Sequence, residues 1–153
     1  MKSEPDVFSI DHMEEAGTEP WDGIRNYQAR NFMRDDMKEG DLALFYHSNT
    51  KPPGVAGVMR VASKPYPDFT AWDKKAKYYD PKSPEDNPRW ILVDMEYVCH
   101  MENYVSLADL KEEAEGALEG MITLRKGNRL SINPVDKKHF TKICKMGGIK
   151  VPK

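Results

Sequence analysis

At 153 residues and 17.6 kDa the chain has the length of one domain, and a folded chain of that size buries about 69% of its extended surface, enough for an independent core. Its 39% hydrophobic, 31% charged and 10% aromatic residues, with a mean hydropathy of −0.72, describe a polar globular protein and exclude a disordered one. No stretch approaches the ~20 apolar residues of a membrane span, and no apolar run follows the charges of Met1–Asp6, so a signal peptide is not expected there. Cys99 and Cys144 are the only cysteines; a disulfide scaffold and a cysteine-rich zinc site are excluded, and a reducing, intracellular setting is expected. The net charge of −2 is unevenly placed: residues 121–153 hold nine Lys and Arg against Asp136 alone, and Ile24–Arg34 holds three arginines and no acid. One basic face built from these two segments would suit a polyanion, whereas a basic helix with a solvated face explains the same charges.

In chain order, Asp6–Ile10 reads as a strand end, and Asp11 as the cap of a short helix through Ala16. Asn26–Met37 reads as a helix, Leu42–Tyr46 as a buried strand, His47–Gly54 as a loop and Val55–Val61 as a second strand. Lys64–Arg89, rich in Pro and Asp, reads as an irregular excursion, a length that in a compact domain is usually functional or mobile. Trp90–Val98 alternates as a strand. Ser106 and Asp109 form a capping-box variant, Asn128–Ile132 reads as a short strand, and Asp136–Met146 as an amphipathic helix with Phe140, Ile143 and Cys144 inward. Strands and helices do not alternate as βα units, so the fold class is α+β: a mostly antiparallel curved sheet or small barrel with peripheral helices, as one domain over 1–153.

No catalytic signature stands out. His12, His47, His100 and His139 have no paired ligand spacing, and there is no G-x-S-x-G elbow, so neither a metal nor a cofactor is expected. Two segments carry unusually specific polar chemistry. Trp21–Phe32 interleaves aromatics, amides and guanidinium groups. Aromatics offer stacking faces for bases, amides read donor and acceptor edges, and arginine neutralises phosphate. Phe45–Asn49 is a strand running into polar side chains. A Trp/Tyr core with capping amides would also account for both.

Several blocks resemble the EVE domain family: Met1–Pro5, Trp21–Phe32, Phe45–Asn49, Pro53–Gly54, Tyr66–Asp68, Tyr79–Ser83, Asn87–Trp90 and Asn128–Val135, in order and spread over nearly the whole chain. The resemblance implies a PUA-like fold, a curved antiparallel β pseudo-barrel with short peripheral helices, and recognition of DNA or RNA through a modified base, modified cytosine in particular. It implies no enzymatic activity. By position, Lys2, Ser3 and Glu4 match a motif bordering the pocket. Trp21 and Gly23 match the loop before the helix. Arg25, Asn26, Tyr27, Arg30 and Asn31 match its signature, and Tyr46, His47, Ser48 and Asn49 the second wall. Asp80 and Ser83 match the excursion, and Arg129 and Ser131 the late strand. One departure is that family members carry a few apolar and aromatic residues ahead of the Met-Lys-Ser-Glu-Pro run, so a shortened first strand is expected.

The leading expectation is therefore a non-catalytic reader of an extruded base. Trp21, Tyr27 and Tyr46 are the candidate aromatic walls. Ser3, Glu4, Asn26, Ser48, Asn49 and Asp80 are candidate edge contacts, with Lys2 and His47 beside them. Arg25, Arg30, Lys82 and Arg129 are candidate phosphate contacts. Two alternatives stand beside it: an enzyme on RNA or a modified nucleoside, using Glu4, His47 and Asp80 as acid and base, and a small-molecule sensor using the same pocket. No membrane partner is expected.

Overall fold

The computed structural model describes residues 1–153. In chain order the elements are β1 (Lys2–Ser3), α1 (Ile10–Ala16), β2 (Thr18–Pro20), α2 (Tyr27–Asp35), β3 (Leu42–His47), β4 (Gly54–Val61), β5 (Tyr66–Pro67), β6 (Ile91–Leu92), β7 (Asp94–Ser106), α3 (Leu107–Glu112) and α4 (Lys137–Met146), with short 3-10 turns at Phe69–Trp72 and Ile122–Leu124. Five strands form one curled sheet in the order β1-β3-β4-β7-β2, and β5 pairs with β6 beside it.

The sheet is covered on both faces, which explains why β4 is apolar almost throughout and buried along nearly its whole length. One face carries Phe45, Ala56, Met59, Val61 and Met95, covered by Ile10 and Met13 of α1 and by Ala29 and Met33 of α2. The other carries Leu44, Tyr46, Val55, Val58 and Met101, covered by Leu110 of α3 and by Ile143 and Cys144 of α4. Residues alternate strictly between faces along β3. In β4 the parity changes, with Val55 and Val58 sharing a face, because the register with β7 shifts on either side of Gly57 and Val58.

The caps are local. Asn26 Oδ1 accepts the Ala29 N–H at 3.0 Å and opens α2. Ser106 and Asp109 exchange the two bonds of a capping box at the start of α3. On α4 the buried stripe is His139, Ile143 and Cys144, with Phe140 partly buried against them.

As expected, the curled sheet is mostly antiparallel; the one parallel pair is β1 with β3, reached after the crossover through α1, β2 and α2. Three expectations are corrected. Asp6–Ile10 is not a strand end: Ser9 caps α1 through the His12 N–H, and Asp11 lies within its first turn. The strand expected over Trp90–Val98 is two: Ile91–Leu92 joins β5, while β7 runs from Asp94 to Ser106. Asn128–Ile132 forms no strand. Its backbone follows the Asn128 and Asn133 side chains, which bond Ile122 O, Leu130 O and each other, and a single bond, Lys2 N–H to Ser131 O at 2.8 Å, ties it to β1.

At Gly57, β4 lies close against both β7 and α1: a Cβ there would lie 2.5 Å from Cys99 O and 2.7 Å from Ile10 Cδ1. Gly57→Ala is expected to lower stability by roughly 1–3 kcal/mol, the usual cost of overpacking. Urea denaturation measures it, and an unchanged midpoint would show that the strands can separate freely.

Candidate nucleic-acid interface

The segment after β2 is fastened to the excursion by one buried carboxylate. Asp68, fully buried, accepts the Gly23 N–H at 2.9 Å, Arg25 Nη1 at 3.0 Å, the Thr70 N–H at 2.9 Å and the Thr70 hydroxyl at 2.6 Å. Burial alone would raise its pKa. The Thr70 hydroxyl, the Gly23 N–H, Arg25 and the Thr70 N–H outweigh burial and hold the carboxyl below its ordinary value. The Arg25 guanidinium is saturated: besides Asp68 it donates to Ile24 O, to Thr70 Oγ1 and twice to Tyr78 O, at 3.0 and 2.7 Å. Gly23 has φ +79°, and a Cβ on it would stand 2.6 Å from Tyr78 Cδ2, so only glycine lets the Tyr78 ring sit there.

Around this clasp the aromatic and cationic side chains are in contact. Tyr27 stacks on Trp90 at 4.8 Å, with the Arg30 guanidinium 4.7 Å from its centroid. Arg25 lies 5.5 Å from Trp90 and 5.8 Å from Tyr78. The Trp90 indole donates to Asp80 Oδ2 at 2.7 Å, a bond that holds the Asp80 carboxyl below its ordinary pKa.

The second motif segment lies where β1 and β3 run out side by side. The Ser48 N–H donates to Ser3 O at 2.9 Å, and Ser3 Oγ donates to Phe8 O at 2.6 Å. The Ile10 N–H donates to His47 Nε2 at 3.2 Å. That nitrogen is therefore unprotonated, and the neutral ring carries its proton on Nδ1, a donor. Burial, only partly opposed by Asp11, lowers the His47 pKa in the same sense. Asn49 sits at φ +53°, a left-handed conformation asparagine tolerates, and its amide reaches Glu4 Oε1 at 3.4 Å. Phe45 links the two segments, edge-on to Trp21 at 5.7 Å and to His47 at 5.6 Å.

The structure thus brings Ser3, Glu4, His47, Ser48 and Asn49 together, with Trp21 behind them through Phe45. It does not bring Tyr46 there. Tyr46 points to the opposite face of the sheet, where it and Lys2 border an apolar cavity of about 540 Å³ between β3 and α4. Trp21 is only 8% exposed, a core residue with an accessible edge. Asn26 caps α2, while Tyr27 is half exposed beside it. Arg25 is not available to phosphate, because all its donors are satisfied within the chain. Arg30 is partly engaged, by Asn31 Oδ1 and Arg89 O. Both Asp80 oxygens are occupied, by Trp90 and the Lys82 N–H, so Glu4, His47 and Asp80 do not assemble as an acid–base trio. Lys82 and Arg129 are exposed. The single basic face is also corrected: the arginines of α2 and the lysines of α4 ride on helices covering opposite faces of the sheet. Asp68, Tyr78 and Phe45 went unassigned by sequence reasoning. Only the recurrence of Tyr66–Asp68 among the family blocks pointed toward Asp68. No group of three or more His, Cys, Asp or Glu is placed to hold a metal ion, and no helix is long and apolar enough to cross a membrane.

Comparison with known proteins gives consistent matches. The EVE domain profile matches residues 1–146. Human thymocyte nuclear protein 1 is 43% identical across 92% of this chain and 69% of its own length. A crystal structure of that human protein in complex with 5-methylcytosine-containing DNA superposes with a TM-score of 0.91 at 41% identity, covering 99% of this chain and 97% of that one. A Leishmania major protein superposes with a TM-score of 0.90 at 44% identity, covering 97% of this chain and 92% of that one.

Asp68→Asn keeps the shape of the clasp but removes its charge, and should cost roughly 1.5–3 kcal/mol at pH 7, the range for hydrogen bonds to a charged group. The folded-state pKa of Asp68 is depressed. Its contribution is therefore complete above the unfolded value of about 3.9 and is lost as pH falls through the folded value. Urea titrations of both proteins from pH 7 downward should show their stabilities converging below about pH 4; a gap independent of pH would mean the carboxylate charge is not what matters.

Proposed function

This chain belongs to the EVE domain family, and from that we propose that it is a non-catalytic reader of DNA that takes a modified cytosine, 5-methylcytosine in the first instance, at the end of β1 and β3. The observation that carries the reading is the DNA complex of the human relative, which shares the fold over 99% of this chain. The chemistry at the strand ends supports it. An extruded cytosine presents an exocyclic amine donor and ring acceptors. The Glu4 carboxylate suits the amine. The His47 Nδ1–H, fixed by the Ile10 bond, and the Asn49 amide suit the acceptors. Trp21 offers an accessible edge and the half-exposed Tyr27 the remaining aromatic surface, and Ser3 and Ser48 further polar groups. Catalysis would need a free proton-transfer pair converging on one reacting point, whereas Asp80 is bonded to Trp90 and the Lys82 N–H, His47 Nε2 to the Ile10 N–H and Glu4 to the Asn49 amide, with no bond among the three.

Burying one methyl group contributes about 0.8 kcal/mol, a preference of roughly fourfold. Purified protein should therefore bind a duplex holding one 5-methylcytosine at least about fourfold more tightly than its unmodified twin. Asn49→Gly is the sharper variant, because glycine accepts the +53° backbone while the amide is lost. It should weaken binding of an extruded cytosine by about tenfold or more, the value of one edge contact at 1–3 kcal/mol, with or without the methyl group, because both bases present the same hydrogen-bonding edge. Equal affinity of the wild-type protein for both duplexes would overturn the reading. A folded Asn49→Gly protein with wild-type affinity would remove Asn49 from the site.

A further inference from the structure

We propose that the tip of the excursion, Lys74, Lys75 and Lys77 with the Tyr78 ring, is the grip on the DNA phosphodiester backbone flanking the recognised base; this rests on the reading above. These residues carried no assignment from the sequence, where three lysines between Asp73 and Tyr78 look like ordinary surface charge. Three observations set them apart.

The first is availability. All three lysines are exposed, and none forms an ion pair with a carboxylate. The neighbouring acids are engaged: Asp73 accepts the Lys75 N–H at 2.9 Å, and Asp80 holds Trp90 and the Lys82 N–H. Arg25 and Arg30, the guanidinium groups nearest the motif, are wholly or largely committed within the chain.

The second is order. The tip is folded on itself by Ala76 N–H to Asp73 O at 2.9 Å, Tyr79 N–H to Ala76 O at 3.2 Å and Asp80 N–H to Ala71 O at 2.9 Å. Its carbonyl at Tyr78 is held twice by Arg25. A cationic loop already fixed in place loses little conformational entropy on meeting a polyanion.

The third is position. The Tyr78 ring lies on Gly23, two residues from Trp21, and Lys77 Nζ stands 5.3 Å from the ring centroid. Tyr78 is 41% exposed and Phe69, at the foot of the tip, 49%. Cations interleaved with exposed aromatic faces suit a sugar–phosphate strand passing beside unstacked bases. With a net charge of −2 the chain offers no strong long-range attraction, so a local grip is what brings a duplex to the pocket.

The test is a salt series on two duplexes, one with a single 5-methylcytosine and one without, using the wild type, the variant K74Q/K75Q/K77Q and the control K138Q/K142Q/K145Q, which removes the same charge from α4. Each phosphate contact contributes about −0.9 to the slope of log affinity against log salt on duplex DNA. The tip variant should lose roughly 2 to 3 units of slope, weaken both duplexes alike and keep the wild-type preference for the methylated one. The α4 control should keep the wild-type slope. An unchanged slope in the tip variant, with its thermal melt intact, overturns the proposal, as does a slope lost only in the α4 control. A wild type without methyl preference whose slope still depends on the tip would sink the modified-base reading and leave the grip standing. No binding to either duplex would overturn both.

Discussion

A carboxylate removed from water must find its partners inside the protein, and Asp68 finds four donor groups on two short segments. Two come from the excursion's own Thr70, and two cross to the segment that follows β2. The crossing bonds matter most, because they turn a stretch with little regular structure of its own into a fixed wall. Arg25 completes the joint by binding the far side of the excursion at Tyr78 O. Through Asp68 and Arg25 the loop is anchored at both ends against Gly23, and the aromatic rings between them stack in one arrangement.

This clasp is a buried ion pair, and such a pair is weak evidence for net stability, because desolvation offsets much of the attraction. Specificity of arrangement is what it supplies here. An apolar replacement could fill the space, but it could not require that Gly23, Arg25 and Thr70 meet at one point. The saturated donors also remove Arg25 from the surface, so the group most suggestive of phosphate binding in the sequence holds the protein together. The charge left outward near the motif belongs to lysines on the excursion and to Arg129.

The second constraint is the double-sided burial of the sheet. With helices packed over both faces, the polar motif residues of β1 and β3 stand at the ends of the strands. There β1 lies parallel to β3, and both chains turn away after the pair Ser3–His47. The polar residues that follow, Glu4 on one side and Ser48 and Asn49 on the other, are left facing each other. His47 is fixed by a backbone donor from α1, so its tautomer is set by the fold and not by solvent.

The sequence by itself determined the fold class, the buried strands of β3 and β4, the capping pair at Ser106, and the identity of the motif segments. Each of these is written in neighbouring residues: runs of apolar side chains, spacing of three or four, a capping pair. It also carried the family, because whole blocks recur in order. Tertiary structure alone decided which motif residues stand together at the ends of β1 and β3. Tyr46 and His47 are adjacent, yet the alternation of a strand sends them to opposite faces, and only the packed helices show which face is which. Arg25 and Asp68 are 43 residues apart, and no local pattern distinguishes an arginine paired within the chain from one left for phosphate. Pairings of that kind depend on where the excursion lands once the core has closed, and that is fixed by packing, bulges and buried hydrogen bonds whose partners are distant in sequence.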